Sequence, residues 1–201
     1  MPMEIRPVTL EGRIVRLEPL SLSRHAQLCE AGLDFELWRW TPINVRTPED
    51  MRAFIEKALE EQAKGTSLPF ATIDRAGGGA IGSTRYLNID VANLRVEIGA
   101  TWVTKKWQRT GANTEAKYLM LRHAFEELGC IRVEFKTDSL NQPSREAILR
   151  LGAKEEGTLR NHMLTWTGRI RHTVYYSIID SEWPEVKKRL EEKLDRAAKT
   201  A

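Results

Sequence analysis

Cysteine is scarce in these 201 residues: Cys29 and Cys130 are the only two, with neither a C-x-x-C spacing nor a histidine cluster beside them. A disulfide framework or a structural zinc site needs more than that, so no metal is expected and both read as buried thiols. Long apolar runs are missing too. No stretch approaches the roughly 20 apolar residues that span a bilayer. Met1-Pro2-Met3-Glu4-Ile5-Arg6 lacks the apolar centre of a secretory signal, so a cytoplasmic protein without membrane contact is expected. Neither sign of charge is in large excess. The net charge is +3, with no basic stripe carrying interleaved aromatics, which gives no reason to expect a nucleic-acid partner. Repeats and low-complexity segments are absent. What remains is 41% hydrophobic and 29% charged, an ordinary globular composition at a length that defaults to one domain. We place that domain over 1–180, followed by a charged C-terminal helix and tail over 181–201 whose last residues should fray.

Read along the chain, Arg13 to Leu20 is a first strand and Ser23 to Cys29 a helical stretch. Trp38 and Trp40 fall on a loop without periodicity. Thr47-Pro48-Glu49-Asp50 reads as a helix start, with Thr47 as N-cap, Pro48 at the first position and Gly65 as the stop. Leu68 to Ile73 and Ala80 to Tyr86 are strands joined through Gly77-Gly78-Gly79 and should pair antiparallel. In the central strand, Leu94, Val96, Ile98, Ala100 and Trp102 alternate with polar or small residues, which predicts one shared face. Ala112 to Leu128 is a helix with Glu115, Arg122 and Glu126 on its outer side. A strand over 132–137, a short helix from Ser144 to Leu151, strands over 153–160 and 169–179 turning at Trp166-Thr167-Gly168, and a terminal helix over 181–193 complete the order. This is a mixed α/β sheet of about seven strands, mostly antiparallel, with helices on both faces.

Gln108-Arg109-Thr110-Gly111-Ala112-Asn113-Thr114 lies between the central strand and the following helix. A helix start offers unpaired N–H groups and the positive end of a dipole, so a small-residue turn leading into it can hold a pyrophosphate. Thr110 and Thr114 can add hydroxyl donors, and Gly111 allows close approach of backbone to phosphate. The same residues also suit a plain strand-to-helix connection. No lysine follows the glycine as a nucleotide-hydrolysing P-loop requires, and G-x-G-x-x-G is absent.

This run resembles the Q/R-x-x-G-x-G/A acetyl-CoA signature of the GNAT superfamily of N-acetyltransferases, at that superfamily's usual junction of fourth strand and third helix. Val96-Glu97-Ile98-Gly99, Asn141-Gln142-Pro143-Ser144 and Leu151 to Gly157 are similar to the RimJ/RimL-like branch, which includes ribosomal-protein N-terminal acetyltransferases; the likeness covers roughly residues 8 to 180. Asn113 departs from the signature, which ends in glycine or alanine. The resemblance implies a GNAT fold and transfer of an acetyl group from acetyl-CoA to a primary amine of a protein N-terminus or small molecule by direct attack, with a homodimer possible. It implies cofactor contacts from Trp102, Val103, Gln108 to Thr114 and Asn141.

The same resemblance makes Glu97 the carboxylate that deprotonates the amine and Ser144 the acid toward the leaving sulfur. On residues alone Glu97 is equally an exposed partner of Arg95, Ser144 a helix N-cap and Asn141 a turn residue. The branch can carry a second carboxylate near the end of a later strand, where this chain has Asn161-His162-Met163, so His162 is a substitute base or a surface residue. Trp38 and Trp40 are core anchors or the aromatic wall of an acceptor site, and Tyr175 or Tyr176 could face the same cleft. The alternative function is a module that binds acyl-CoA without turnover.

Overall fold

The computed structural model describes residues 3–199; residues 200 and 201, part of the tail expected to fray, lie outside the described residues. One eight-stranded sheet runs in the order β1-β2-β3-β4-β5-β6-β8-β7. Its strands are β1 (Leu10–Glu11), β2 (Val15–Pro19), β3 (Leu68–Asp74), β4 (Ala80–Asp90), β5 (Arg95–Val103), β6 (Arg132–Asp138), β7 (Lys154–Leu164) and β8 (Ile170–Ile179). Neighbours pair antiparallel except β5 and β6, which are parallel. Strand β1 is the addition to the expected seven, and two residues carry too little pattern to announce it.

Helices α1 (His25–Gly32) and α2 (Pro48–Ala63) cover one face of β3 to β5. Helices α3 (Ala112–Arg122), α4 (Gln142–Leu151) and α5 (Trp183–Lys199) cover the other. Thr47 caps α2 as expected: its Oγ1 accepts from Asp50 N at 3.1 Å while Asp50 Oδ2 accepts from Thr47 N at 3.0 Å. Gly65 follows the helix in the left-handed region, φ +71°, where a side chain would be strained.

Three sequence expectations are corrected. The alternation of β5 breaks at Ala100, φ +47°, where the register with β4 jumps from Arg85↔Gly99 to Ser83↔Trp102. Val96 and Ile98 therefore pack toward α3, whereas Trp102 packs with Trp38 and Met51 on the α1–α2 side. A bulge of this kind flips every later side chain. Glu115 is not on an outer face. It is 2% exposed and its carboxylate accepts from Arg13 N, Ile14 N and Val15 N at 2.9, 2.6 and 2.7 Å, fixing the β1–β2 turn. Helix α5 is part of the domain rather than an addition to it: Trp183, Val186 and Leu190 join the main core, and Trp183 stacks on Phe125 at 5.3 Å.

Candidate active site

Strands β5 and β6 pair only at Arg95↔Arg132, Val96↔Val133 and Glu97↔Glu134. Beyond Glu97 both continue, β5 with β4 alone and β6 with β8 alone, so two unpaired edges face each other across a gap in the middle of the sheet. Ala100 and Thr101 are exposed there although they belong to a central strand. The gap opens at the carboxyl ends of a parallel pair, the place where open α/β sheets bind ligands. Helices α3 and α4 both start at that end, directing their unpaired N–H groups and positive dipole ends to it.

At the start of α3, Gln108, Arg109 and Thr110 are exposed. Arg109 has φ +62° and Gly111 φ −67°, so the chain leaves the left-handed region as it enters α3. The N–H groups of Arg109, Thr110, Gly111, Asn113 and Thr114 have no backbone or side-chain acceptor among the described residues. Ala112 N is taken by Thr110 Oγ1, which itself donates to Trp107 O, so the Thr110 hydroxyl is spent inside the loop. Gln108 Nε2 donates to Val103 O at 3.1 Å, tying the loop to β5. A Cβ on Gly111 would meet Ile14 Cδ1 at 2.7 Å, so the protein itself crowds this glycine. Asn113 Oδ1 is buried without a partner. Unpaired main-chain donors beside an open gap fit the diphosphate and amide-bearing arm of a coenzyme A thioester.

At the start of α4 the N-cap is Asn141, whose Oδ1 accepts from Ser144 N at 3.3 Å. Ser144 is therefore not the cap. Its hydroxyl makes no hydrogen bond among the described residues and stands free in the first turn.

Glu97 lies on the floor of the gap. It is 1% exposed, not the exposed partner of Arg95, which pairs with Asp90 and Glu134. Asn88 Nδ2 at 2.8 Å and Lys136 Nζ at 3.0 Å both engage its Oε2. Its Oε1 is left open, lying where a Cβ on Gly99 would come within 2.9 Å. Around it on the same sheet face stand Lys136, Asp138, Tyr175, Thr173 and Arg171. Strand register requires this, since Lys136 opposes Tyr175 and Asp138 opposes Thr173 while the intervening Phe135, Val174 and Tyr176 fill the core. His162 joins the group, its ring edge-on to Tyr175 at 5.9 Å. Partial burial and the cations Lys136 and Arg171 push its pKa below the usual imidazole value.

The α1–α2 loop and the β7–β8 turn meet over this face. Trp166 Nε1 donates to Trp38 O and Arg171 Nη1 to Trp40 O, each at 3.2 Å. Trp38 itself is 1% exposed, packed on Phe54 and Trp102 with its indole N–H donating to Gly32 O. It anchors the loop from within and lines nothing. Trp40 is half-buried, with the guanidinium groups of Arg39 and Arg169 over its ring. Trp102 is likewise a core residue, and its carbonyl turns toward Gly82 of β4 rather than into the gap. Of the two tyrosines, Tyr175 faces the cleft and Tyr176 lies in the core. Neither cysteine takes part: burial raises both thiols, Cys130 up to about 12.

Residues 15–154 match the family model described as Acetyltransferase (GNAT) domain. The chain belongs to the GNAT acetyltransferase family. Membership brings acyl transfer as the class of chemistry and acetyl-CoA as the family's co-substrate. The chain is 34% identical over 106 residues, 53% of its length and 57% of the relative's, to the protein named "Putative ribosomal N-acetyltransferase YdaF" of Bacillus subtilis strain 168. It superposes on a GCN5-related N-acetyltransferase from Brucella melitensis with TM-score 0.87 and 33% identity, covering 94% of this chain and 86% of that one. The fold is shared also with Mycobacterium smegmatis RimJ, a structure in complex with CoA-disulfide, at TM-score 0.81 and 24% identity over 93% of this chain and 95% of that one. Among the described residues no helix is long and apolar enough to cross a membrane.

Sequence reasoning missed Lys136, Asp138 and Arg171. They sit on three-residue stretches of two strands that belong to no motif, and only pairing register assembles them.

Proposed function

We propose that the protein transfers the acetyl group of acetyl-CoA to a primary amine, with Glu97 taking the amine's proton at Oε1 and Ser144 holding a proton for the leaving sulfur. The observation that carries this reading is the open oxygen of a buried carboxylate on the floor of a gap flanked by two helix starts. Bound acetyl-CoA would supply an activated acyl thioester. The unpaired N–H groups from Arg109 to Thr114 would hold its phosphates, and the free edges of β5 and β6, with Asn141, would hold the arm.

Protonated amines do not attack, so a base must act first. With Asn88 and Lys136 fixing Oε2, Oε1 is the atom presented to the cleft, and Gly99 leaves it room. Ser144 Oγ, unengaged at the positive end of α4, is suited to give up a proton. Trp40 and Tyr175 would border the acceptor. The kinship with YdaF supports a protein N-terminus as acceptor, and the cleft is also open to small amines.

Glu97→Gln removes the base while keeping the Asn88 contact. Turnover, read as thiol release, should fall 10²-fold or more, roughly the range of general-base contributions, with CoA affinity by calorimetry within about twofold. The loss should shrink as pH rises and more amine is already neutral. Ser144→Ala should lower turnover without this pH relief. A parent protein that binds acetyl-CoA and releases no thiol with any amine would instead be a sensor, and a Glu97→Gln variant with full neutral-pH activity would move the base elsewhere, His162 being the nearest candidate.

A further inference from the structure

The cleft's charges do not balance. Glu97 is matched by Lys136 at 3.0 Å, and Asp138, 1% exposed, is matched by Arg169 and also accepts Leu140 N at 3.0 Å. Arg171, 6% exposed, has no carboxylate within ion-pair distance among the described residues. Its Nε donates to Thr173 Oγ1 at 3.0 Å and its Nη1 to Trp40 O at 3.2 Å, both neutral acceptors. Three cations therefore face two anions, and the remaining charge belongs to a guanidinium almost fully withdrawn from water.

Burying an unpaired charge is costly, and side chains in that position are ordinarily paired. Here the two contacts aim the group. Thr173 and Trp40 hold the Nε and Nη1 corners, leaving Nη2 without a protein acceptor among the described residues yet not sealed from solvent. A fixed planar donor with one open corner, in a cleft of lowered dielectric, suits a carboxylate far better than a neutral group. Arg171 stands on the same sheet face as Glu97 and Asp138, and the Thr173 to which it donates lies opposite Asp138, so it shares the chamber in which Glu97 Oε1 would receive the amine.

We infer that the acceptor amine carries a carboxylate, and that Arg171 recognises it while Glu97 receives the amine. This rests on the acetyl-transfer reading for what happens to the amine. The anion site itself does not depend on it. Two sources share the chemistry: a free amino acid, or a peptide N-terminus with an acidic side chain next to it.

The test compares acceptors differing in one group: γ-aminobutyrate against 4-aminobutanamide, and the peptide amide Ala-Glu-Ala against Ala-Gln-Ala. Thiol release gives kcat/KM, and NMR line broadening with CoA present gives binding without turnover. The parent should favour the carboxylate member of at least one pair by tenfold or more, and which pair responds identifies the source. Arg171→Met should erase the preference, Arg171→Lys should restore part of it, and CoA affinity should stay within about twofold in both. Equal use of both members by the parent overturns the inference and leaves acetyl transfer standing. So does an Arg171→Met variant that slows both members alike, since a purely structural role would do that. Carboxylate binding that vanishes in Arg171→Met, in a protein that turns over no amine, upholds the anion site and discards the acetyl-transfer reading. No carboxylate binding in the parent discards the anion site.

Discussion

Lys117 sits on the inner side of α3, 5% exposed, with Nζ donating to Thr84 Oγ1 at 2.8 Å and to Thr101 Oγ1. No carboxylate pairs with it among the described residues, and burial lowers its pKa to about 7. The unfolded chain keeps this proton up to about pH 10.5, while the folded protein releases it near 7. Between those values the unfolded state binds more protons, so this lysine makes stability rise with pH. Below pH 7 both states are protonated, and the full cost of burying an ammonium is present. Lys117→Met should therefore stabilise the protein most at pH 6, with the advantage shrinking steadily toward pH 10. Urea unfolding at pH 6, 8 and 10 checks this, and a difference that stays constant with pH would assign the titration to other groups.

Secondary elements show what local sequence can and cannot dictate. The start of α2 is written in four residues, because an N-cap threonine, a proline and two acids have few other uses together. Thr47→Ala should cost about 1 kcal/mol by thermal or urea unfolding, the usual worth of such a cap, and Thr47→Ser should cost much less. The start of α4 was legible only in part. Asn141 and Ser144 both suit a cap, and which of them folds back depends on the preceding turn. The bulge in β5 could not be read at all, since Ala100 in a left-handed conformation contradicts its own preference. Glu115 looked outward because its charge implied solvent; three backbone donors from a turn 100 residues away in sequence reverse that expectation. For the site, the cofactor loop and Glu97 were visible as local motifs. The cleft's cations and the burial of Trp38 depend on strand register and loop docking, which no short stretch encodes.

Considered whole, the molecule is two antiparallel half-sheets joined along one seam. The first five strands form one and the last three the other, and three residue pairs hold them edge to edge. Most sheets are best protected at the centre and fray at the margins. Here the order should be inverted. The amides between Gly99 and Val103 that point away from β4 have no protein acceptor among the described residues, so in hydrogen exchange they should behave as a local opening of near-zero cost, beside β3 amides that exchange only by global unfolding. Saturating CoA should slow them if a ligand supplies that acceptor, and exchange measured by NMR with and without CoA reads this directly. Unchanged rates in Gly99 to Val103 would place the ligand outside the seam. The centre of this protein would thus be its most labile region until a small molecule completes the hydrogen bonding that no ninth strand supplies.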